Sequence, residues 1–145
     1  MQVRHILRDK GHDIIAIQSS ATLGEAAQIL SNKKIGALVV KCKNGKLAGI
    51  FSERDLVHAI AATGVGALSE SVERHMTKTL QTCVESDAVE SIMEVMTRGR
   101  FRHVPVLDAN DQLCGMVSIG DIVKTRIAET VSEAAALRNY ISDTA

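Results

Sequence analysis

The sequence predicts a mixed α/β (α+β) fold: two β-α-β-β-α repeats followed by a C-terminal helix. Three observations predict it. The stretch GIFSERDL at 49–56 returns in pattern as GMVSIGDI at 115–122. Positions 16–57 fall on 82–123 at a constant offset of 66, without a gap. Within both copies the hydrophobic period changes in the same order, which marks a duplicated structural unit.

The elements follow in chain order. Residues 1–10 carry Val3, Ile6 and Leu7 at helical spacing, a short lead-in helix. A short apolar strand opens each copy, at Ile14–Ile17 and Leu80–Val84. Next, Leu23, Ala26, Ala27 and Leu30 stand at i, i+3, i+4 and i+7, as do Val89, Ile92, Met93 and Met96, so an amphipathic helix is expected in each. An apolar strand follows, IGALVVKC or FRHVPVLD, then a turn at Asn44-Gly45 or Asn110-Asp111, then a second strand, KLAGIF or QLCGMV. Another helix begins near Ser52 or Ser118. The matching is residue by residue in places: Ser20, Val40, Leu47, Gly49, Ser52, Asp55 and Val57 land on Ser86, Val106, Leu113, Gly115, Ser118, Asp121 and Val123. Residues 124–141 continue as a helix with Ile127, Val131, Ala134 and Ala135 on an apolar stripe that Leu137, Tyr140 and Ile141 extend.

A unit of about 60 residues buries little surface alone, and an open sheet leaves an edge and a face to cover. Two copies packed sheet to sheet about a pseudo-twofold axis answer both problems. The expected division is 1–68 for the first repeat with its lead-in, 69–127 for the second, and 128–145 for the helical tail. TGVGALSES at 63–71 reads as a mobile connector. Pro105, aligned with Val39, cannot donate to a ladder and implies a free side of its strand there.

Composition narrows the function. At 145 residues, with 46% hydrophobic and 23% charged, this is an ordinary globular chain. Seventeen basic residues balance seventeen acidic ones, so the long-range attraction that draws cationic proteins to nucleic acid or membranes is missing. Phe51, Phe101 and Tyr140 are the whole aromatic complement, too few for a base-stacking platform. No membrane-length apolar run or signal sequence is present, so a cytoplasmic protein is expected. Cys42, Cys83 and Cys114 are odd in number and lie in apolar stretches, so they read as reduced, buried small side chains. The five histidines show no metal-ligand spacing.

The doubled G-x-x-S-x-x-D is the chemical signal, and it has two readings. As structure, Ser-x-x-Asp starts a helix: the hydroxyl caps a free N–H, and the carboxylate bonds back or meets the dipole. As chemistry, free N–H groups at a helix start attract phosphate, and a carboxylate accepts two bonds from the vicinal hydroxyls of a ribose. Arg100, Arg102 and His103 near the second motif, and Arg54 within the first, suit phosphate oxygens. A solvated strand end is the bland account of the same cluster.

On these residues the chain resembles a tandem pair of cystathionine beta-synthase (CBS) domains, often called a Bateman module. The resemblance runs from about residue 10 to 125, through TLGEAAQILSNKKIGALVVKCKNGKLAGIFSERDL and AVESIMEVMTRGRFRHVPVLDANDQLCGMVSIGDIV. It implies a regulatory module binding AMP, ADP, ATP, S-adenosylmethionine or NAD(H) in clefts between the repeats. It implies ribose binding by Asp121 and Asp55, with Ser118 and Ser52 beside ribose and phosphate. Arg102 and His103 would face phosphate, and Arg54 would serve the other cleft. Ala21, Ile35 and Gly36 would line the adenine pocket used by Asp121; Asp87, Phe101 and Arg102 would border the cleft used by Asp55. Because Gly120 replaces Arg54, and Gly36 and Ala37 replace Arg102 and His103, the clefts are expected to be unequal, with the Asp121 cleft the better site. Homodimers are common in such proteins, and a regulated protein partner is implied but not identified.

Catalysis finds little support: there is no phosphate-binding G-x-x-x-x-G-K-[ST] loop, no G-x-S-x-G elbow, and no base beside the doubled Ser and Asp. The remaining alternative is a ligand-free structural or protein-interaction module.

Overall fold

In the computed structural model, which describes residues 1–144, the elements run helix α1 (Val3–Lys10), strand β1 (Ala16–Gln18), α2 (Leu23–Lys33), β2 (Ala37–Lys41), β3 (Leu47–Ser52), α3 (Glu53–Thr63), β4 (Cys83–Val84), α4 (Val89–Gly99), β5 (His103–Leu107), β6 (Leu113–Ser118) and α5 (Ile119–Thr144). Two three-stranded sheets result, ordered β1-β2-β3 and β4-β5-β6, with the outer pairs β1-β2 and β4-β5 parallel and the hairpins antiparallel. The expected β-α-β-β-α order therefore holds in both copies. Among the described residues, no helix is long and apolar enough to cross a membrane.

The hairpin turns show how closely the copies match. Cys42 N–H donates to Lys46 O (2.9 Å) and Gly45 N–H to Cys42 O (2.9 Å), closing a loop with Gly45 at φ 80°. Asp108 N–H to Gln112 O (2.8 Å) and Asp111 N–H to Asp108 O (3.0 Å) repeat it, with Asp111 at φ 59°. Asp tolerates the left-handed region because its short side chain bonds locally. Here Asp108 Oδ1 also accepts from the Asn110 and Gln112 N–H groups. Both hairpins then carry an irregularity at the same place, between Val40 and Lys41 and between Val106 and Leu107.

Pro105 refines one expectation. Its strand β5 is central in the sheet, so it has no free side along its length. In the first copy, Val39 N–H donates to Ile15 O (3.1 Å) and Val39 pairs with Ala16. Pro105 has no N–H to give, and the β4 ladder starts one residue later, with Cys83 opposite Val106. The free side is local to that residue, and β4 is shorter than β1 as a result.

The chain divides into two compact units: Asp13–Gln81, and Met1–His12 joined to the chain from Thr82 onward. This differs from division at residue 68, for a physical reason: the segment that precedes each repeat packs on the other one. Val3 N–H bonds Asp87 O (2.9 Å) and Arg4 N–H bonds Glu85 O (3.0 Å), seating α1 on the second repeat. Val72 N–H to Ala21 O (2.8 Å) and Glu73 N–H to Ser19 O (3.1 Å) do the same on the first. Val3, Ile6 and Leu7 thus join one core with Val89, Ile92, Met96, Val104, Val106, Val117 and Ile122. Ala67 and Val72 join the other, with Leu23, Ala26, Leu30, Leu38, Val40 and Phe51. The expected mobile connector is consequently corrected: Gly64–Ser69 and Val72–Arg74 are 3₁₀ turns, held because Ala67 and Val72 are fully buried. The helical tail continues the last helix of the second repeat without a break, since α5 runs from Ile119 to Thr144.

Of the three free cysteines, Cys83 is buried, while Cys42 and Cys114 are only half-buried, so the expectation of uniform burial holds for one. Burial, with Asp87 and Cys114 adding to it, pushes the Cys83 thiol up to about 12. The thiolate is the reactive form. Iodoacetamide at pH 8 should therefore leave Cys83 unmodified in the folded protein and label it after denaturation, as peptide mass mapping would show. Labelling of Cys83 at the rate of an unfolded thiol would refute the packing.

Candidate functional site

Each motif is assembled where a strand hands over to a helix. Ser52 ends β3 in an extended conformation (φ −113°, ψ 167°) and caps α3. Its backbone N–H donates to Asp55 Oδ2 (2.9 Å), its hydroxyl donates to the same oxygen (3.1 Å), and Asp55 N–H donates back to Ser52 Oγ (3.3 Å). Ser118 and Asp121 repeat the box: Ser118 N–H to Asp121 Oδ2 at 2.8 Å and Asp121 N–H to Ser118 Oγ at 3.2 Å. The capping reading is thus realised in both copies. Reciprocal bonding satisfies two helix-end donors and fixes each carboxylate at a helix start.

The strand beside each motif is tied to it in the same way. Gly36 O accepts from Glu53 N–H (3.0 Å) and Arg102 O accepts from Ile119 N–H (2.8 Å). Ala37 pairs with Ser52 and His103 with Ser118 across the ladders. The structure therefore sets Arg102 and His103 against the start of α5 at Ser118 and Ile119, and Gly36 against the start of α3 at Glu53. Arg54 and Arg102 are exposed, and Phe101 lies over Gly99, where a Cβ would meet its ring at 2.3 Å. Ala21 and Asp87 occupy equivalent turns after β1 and β4: Ala21 N–H donates to Gln18 O (3.0 Å), Asp87 N–H to Val84 O (3.1 Å). Asp87 spends one carboxylate oxygen on Val84 N–H at 2.9 Å.

Sequence reasoning missed two residues that touch the motif carboxylates. Lys10 Nζ donates to Asp121 Oδ2 (2.8 Å) and to Met116 O (2.9 Å). Thr77 Oγ1 lies 3.3 and 3.4 Å from the two oxygens of Asp55. Both belong to the segments that cross to the other repeat. A signal existed: Val3, Arg4 and Leu7 stand 69 residues before Val72, Glu73 and Met76, an offset that the 66-residue alignment does not contain. The Gly of each motif has the same explanation. A Cβ at Gly49 would lie 2.6 Å from Thr77 O and 2.9 Å from Met76 Sδ; at Gly115 it would lie 2.8 Å from a Leu7 methyl. These glycines make room for the crossing segments.

Burial raises the Asp121 carboxyl, but the hydrogen bond from Lys10, those from Ser118, and the Lys10 charge outweigh it and hold the group below the usual aspartate value of 3.8. A depressed folded value means that the stabilisation is present above the unfolded value and is lost as pH falls through the folded one. The urea midpoint of the parent should exceed that of Asp121→Asn at pH 7, and the gap should close toward pH 2. A gap that persists unchanged in acid would rule out the ionised pair as its source.

Two α/β repeats, each completed by the other's leading segment and each presenting a capped carboxylate at a helix start, define a duplicated β-α-β-β-α module. A family model for the CBS domain matches residues 3–62 and again 70–128. The chain belongs to the CBS-domain family. Its fold is similar to the CBS-domain containing protein ATU1752 from Agrobacterium tumefaciens, at 46% identity and TM-score 0.83, covering 86% of this chain and 92% of that one. It is also similar to the CBS domain pair of protein MJ0100, whose structure is in complex with 5′-methylthioadenosine and S-adenosyl-L-methionine (27%, TM-score 0.79, 89% and 98% covered). A third likeness is CBS domain protein PAE2072 from Pyrobaculum aerophilum, complexed with AMP (25%, TM-score 0.74, 83% and 89% covered). Three curated relatives at 29 to 37% identity are longer: the chain spans 66, 17 and 60% of their lengths.

Proposed function

We propose that this CBS pair is a regulatory, non-catalytic module that binds adenosine-containing ligands, AMP, ADP, ATP or NAD(H), through its motif carboxylates. One observation carries the reading. Asp121 is anchored at a helix start through Oδ2, its side chain is 20% exposed, and Oδ1 accepts no hydrogen bond among the described residues. That oxygen is available to a ribose hydroxyl, and Arg102 and His103 begin the strand that adjoins the helix N-terminus, where phosphate is favoured. Asp55, Ser52 and Arg54 form the counterpart. The adenosine ligands held by MJ0100 and PAE2072 support the ligand class. Ligand that binds the native state stabilises it and shifts the conformational population presented to a regulated protein. The test is thermal melting with millimolar AMP, ATP or NADH, with mass spectrometry of any small molecule released on denaturation. A raised midpoint supports the reading; no shift for any of them points to the alternative, a structural or protein-interaction module, which the self-satisfied capping boxes favour.

The same reading includes a homodimer. Val123, Ile127, Val131, Leu137, Tyr140 and Ile141 on α5 are each 51 to 67% exposed, a row of apolar surface that a second copy would cover. Light scattering should give twice the 15.6 kDa chain mass, and Ile127→Glu with Val131→Glu should return it to the chain mass. A parent that runs at 15.6 kDa would remove the dimer from the proposal. Three unpaired thiols fit a reducing compartment, so we place the protein in the cytoplasm.

A further inference from the structure

We propose that Lys10 is a latch that couples ligand at Asp121 to the seating of helix α1, a positioning role that rests on the ribose reading above. The argument starts from the capacity of one carboxylate. Asp121 Oδ2 already receives Ser118 N–H at 2.8 Å and Lys10 Nζ at 2.8 Å. A ribose diol that grips both oxygens brings a further donor to Oδ2, and an oxygen with about two lone-pair sites that already holds two donors at 2.8 Å takes a third close one only if one of them lengthens or leaves. The Ser118 N–H is fixed by the strand-to-helix backbone. Lys10 is the donor that can leave, because its ammonium sits on a flexible stem and its side chain is 36% exposed.

Lys10 is also the last residue of α1, and its ammonium ties that end of the helix to Asp121 and to Met116 O on β6. The other end is held separately, by Val3 and Arg4 N–H bonds and by Leu7 beneath Gly115. Release of Lys10 therefore loosens the last turn of α1 and the Gly11 that follows, not the whole helix. The other carboxylate lacks this coupling. The crossing segment gives Asp55 a neutral Thr77 hydroxyl at 3.3 Å, which turns aside by rotation about one bond. The two motif carboxylates thus differ in regulation: a ligand at Asp121 competes with a cation carried by α1, and a ligand at Asp55 does not. By reciprocity, whatever unseats the end of α1 strengthens binding at Asp121 by the same factor.

The experiment uses the full chain, AMP as probe, and Lys10→Met, which keeps the apolar stem, with Lys10→Arg restoring the cation. Lys10→Met should bind AMP about threefold to fivefold more tightly, the strength of a part-exposed ion pair expressed as an affinity ratio. In the parent and in Lys10→Arg, saturating AMP should speed amide exchange at Lys10 and Gly11. In Lys10→Met, exchange there should already be fast and should ignore AMP. Equal affinity in parent and Lys10→Met, with exchange at these amides unmoved by AMP, overturns the latch alone. Weaker binding by Lys10→Met also overturns it, and makes Lys10 a direct ligand contact. AMP that binds none of the three proteins overturns the latch together with the nucleotide reading.

Discussion

Gly49→Val should destabilise the Asp13–Gln81 unit by about 3 kcal/mol, the upper end of the range for overpacking a filled site. The reason is what stands over the glycine. The first added carbon would lie 2.6 Å from the Thr77 carbonyl oxygen, and that carbonyl accepts from Ile50 N–H at 3.0 Å while Thr77 N–H donates to Ile50 O at 2.8 Å. Backbone clamped by two hydrogen bonds cannot retreat without losing them. Gly115→Val offers the contrast, since the neighbour there is the branched end of Leu7, 2.8 and 2.9 Å from the added carbon. A side chain can change rotamer, so about 1 kcal/mol is expected, at the low end of the same range. Urea unfolding of both variants checks the order. Equal losses would mean that the crossing segments yield alike, and that the clamp at Thr77 is not rigid.

Asp121→Ala should weaken AMP binding by about 2 kcal/mol, or about thirtyfold in Kd, given that a hydrogen bond to a charged group contributes roughly 1.5 to 3 kcal/mol. The fold should survive, because Ser118 Oγ still accepts the N–H of residue 121 and α5 keeps that cap. Isothermal titration reads the loss and circular dichroism checks the helix. Unchanged affinity would reduce Asp121 to its capping role. Asp55→Ala in parallel tells whether the two carboxylates are unequal, as the Arg102 and His103 neighbours of Asp121 lead one to expect.

Much of this fold is legible without coordinates because duplication doubles each signal. A single Ser-x-x-Asp is an ordinary helix cap, whereas the same spacing at matching phase in two copies locates the strand-to-helix joint at Ser52 and Ser118. The amphipathic spacing from Leu23 and Val89, the lead-in helix, and the hairpin turns follow from local rules of period and turn chemistry, which act within a few residues. Boundaries were less legible: β1 starts at Ala16 and not Ile14, and β4 holds only Cys83 and Val84, because strand length depends on a partner such as Pro105 that lies more than 20 residues away in the chain.

Where the crossing segments go is not a local property. Ala67 belongs to the stretch that reads as a connector, yet it is fully buried together with Val72, and Lys10, which no motif marks, is paired with the motif carboxylate. Helical period and turn residues are written in adjacent positions, so the repeat, its element order and the twin carboxylates could be read directly. Which repeat a leading segment covers depends on apolar surface that exists only after each sheet has formed, and so the role of Gly49 and Gly115 and the partners of Asp55 and Asp121 emerged only once the chain had folded.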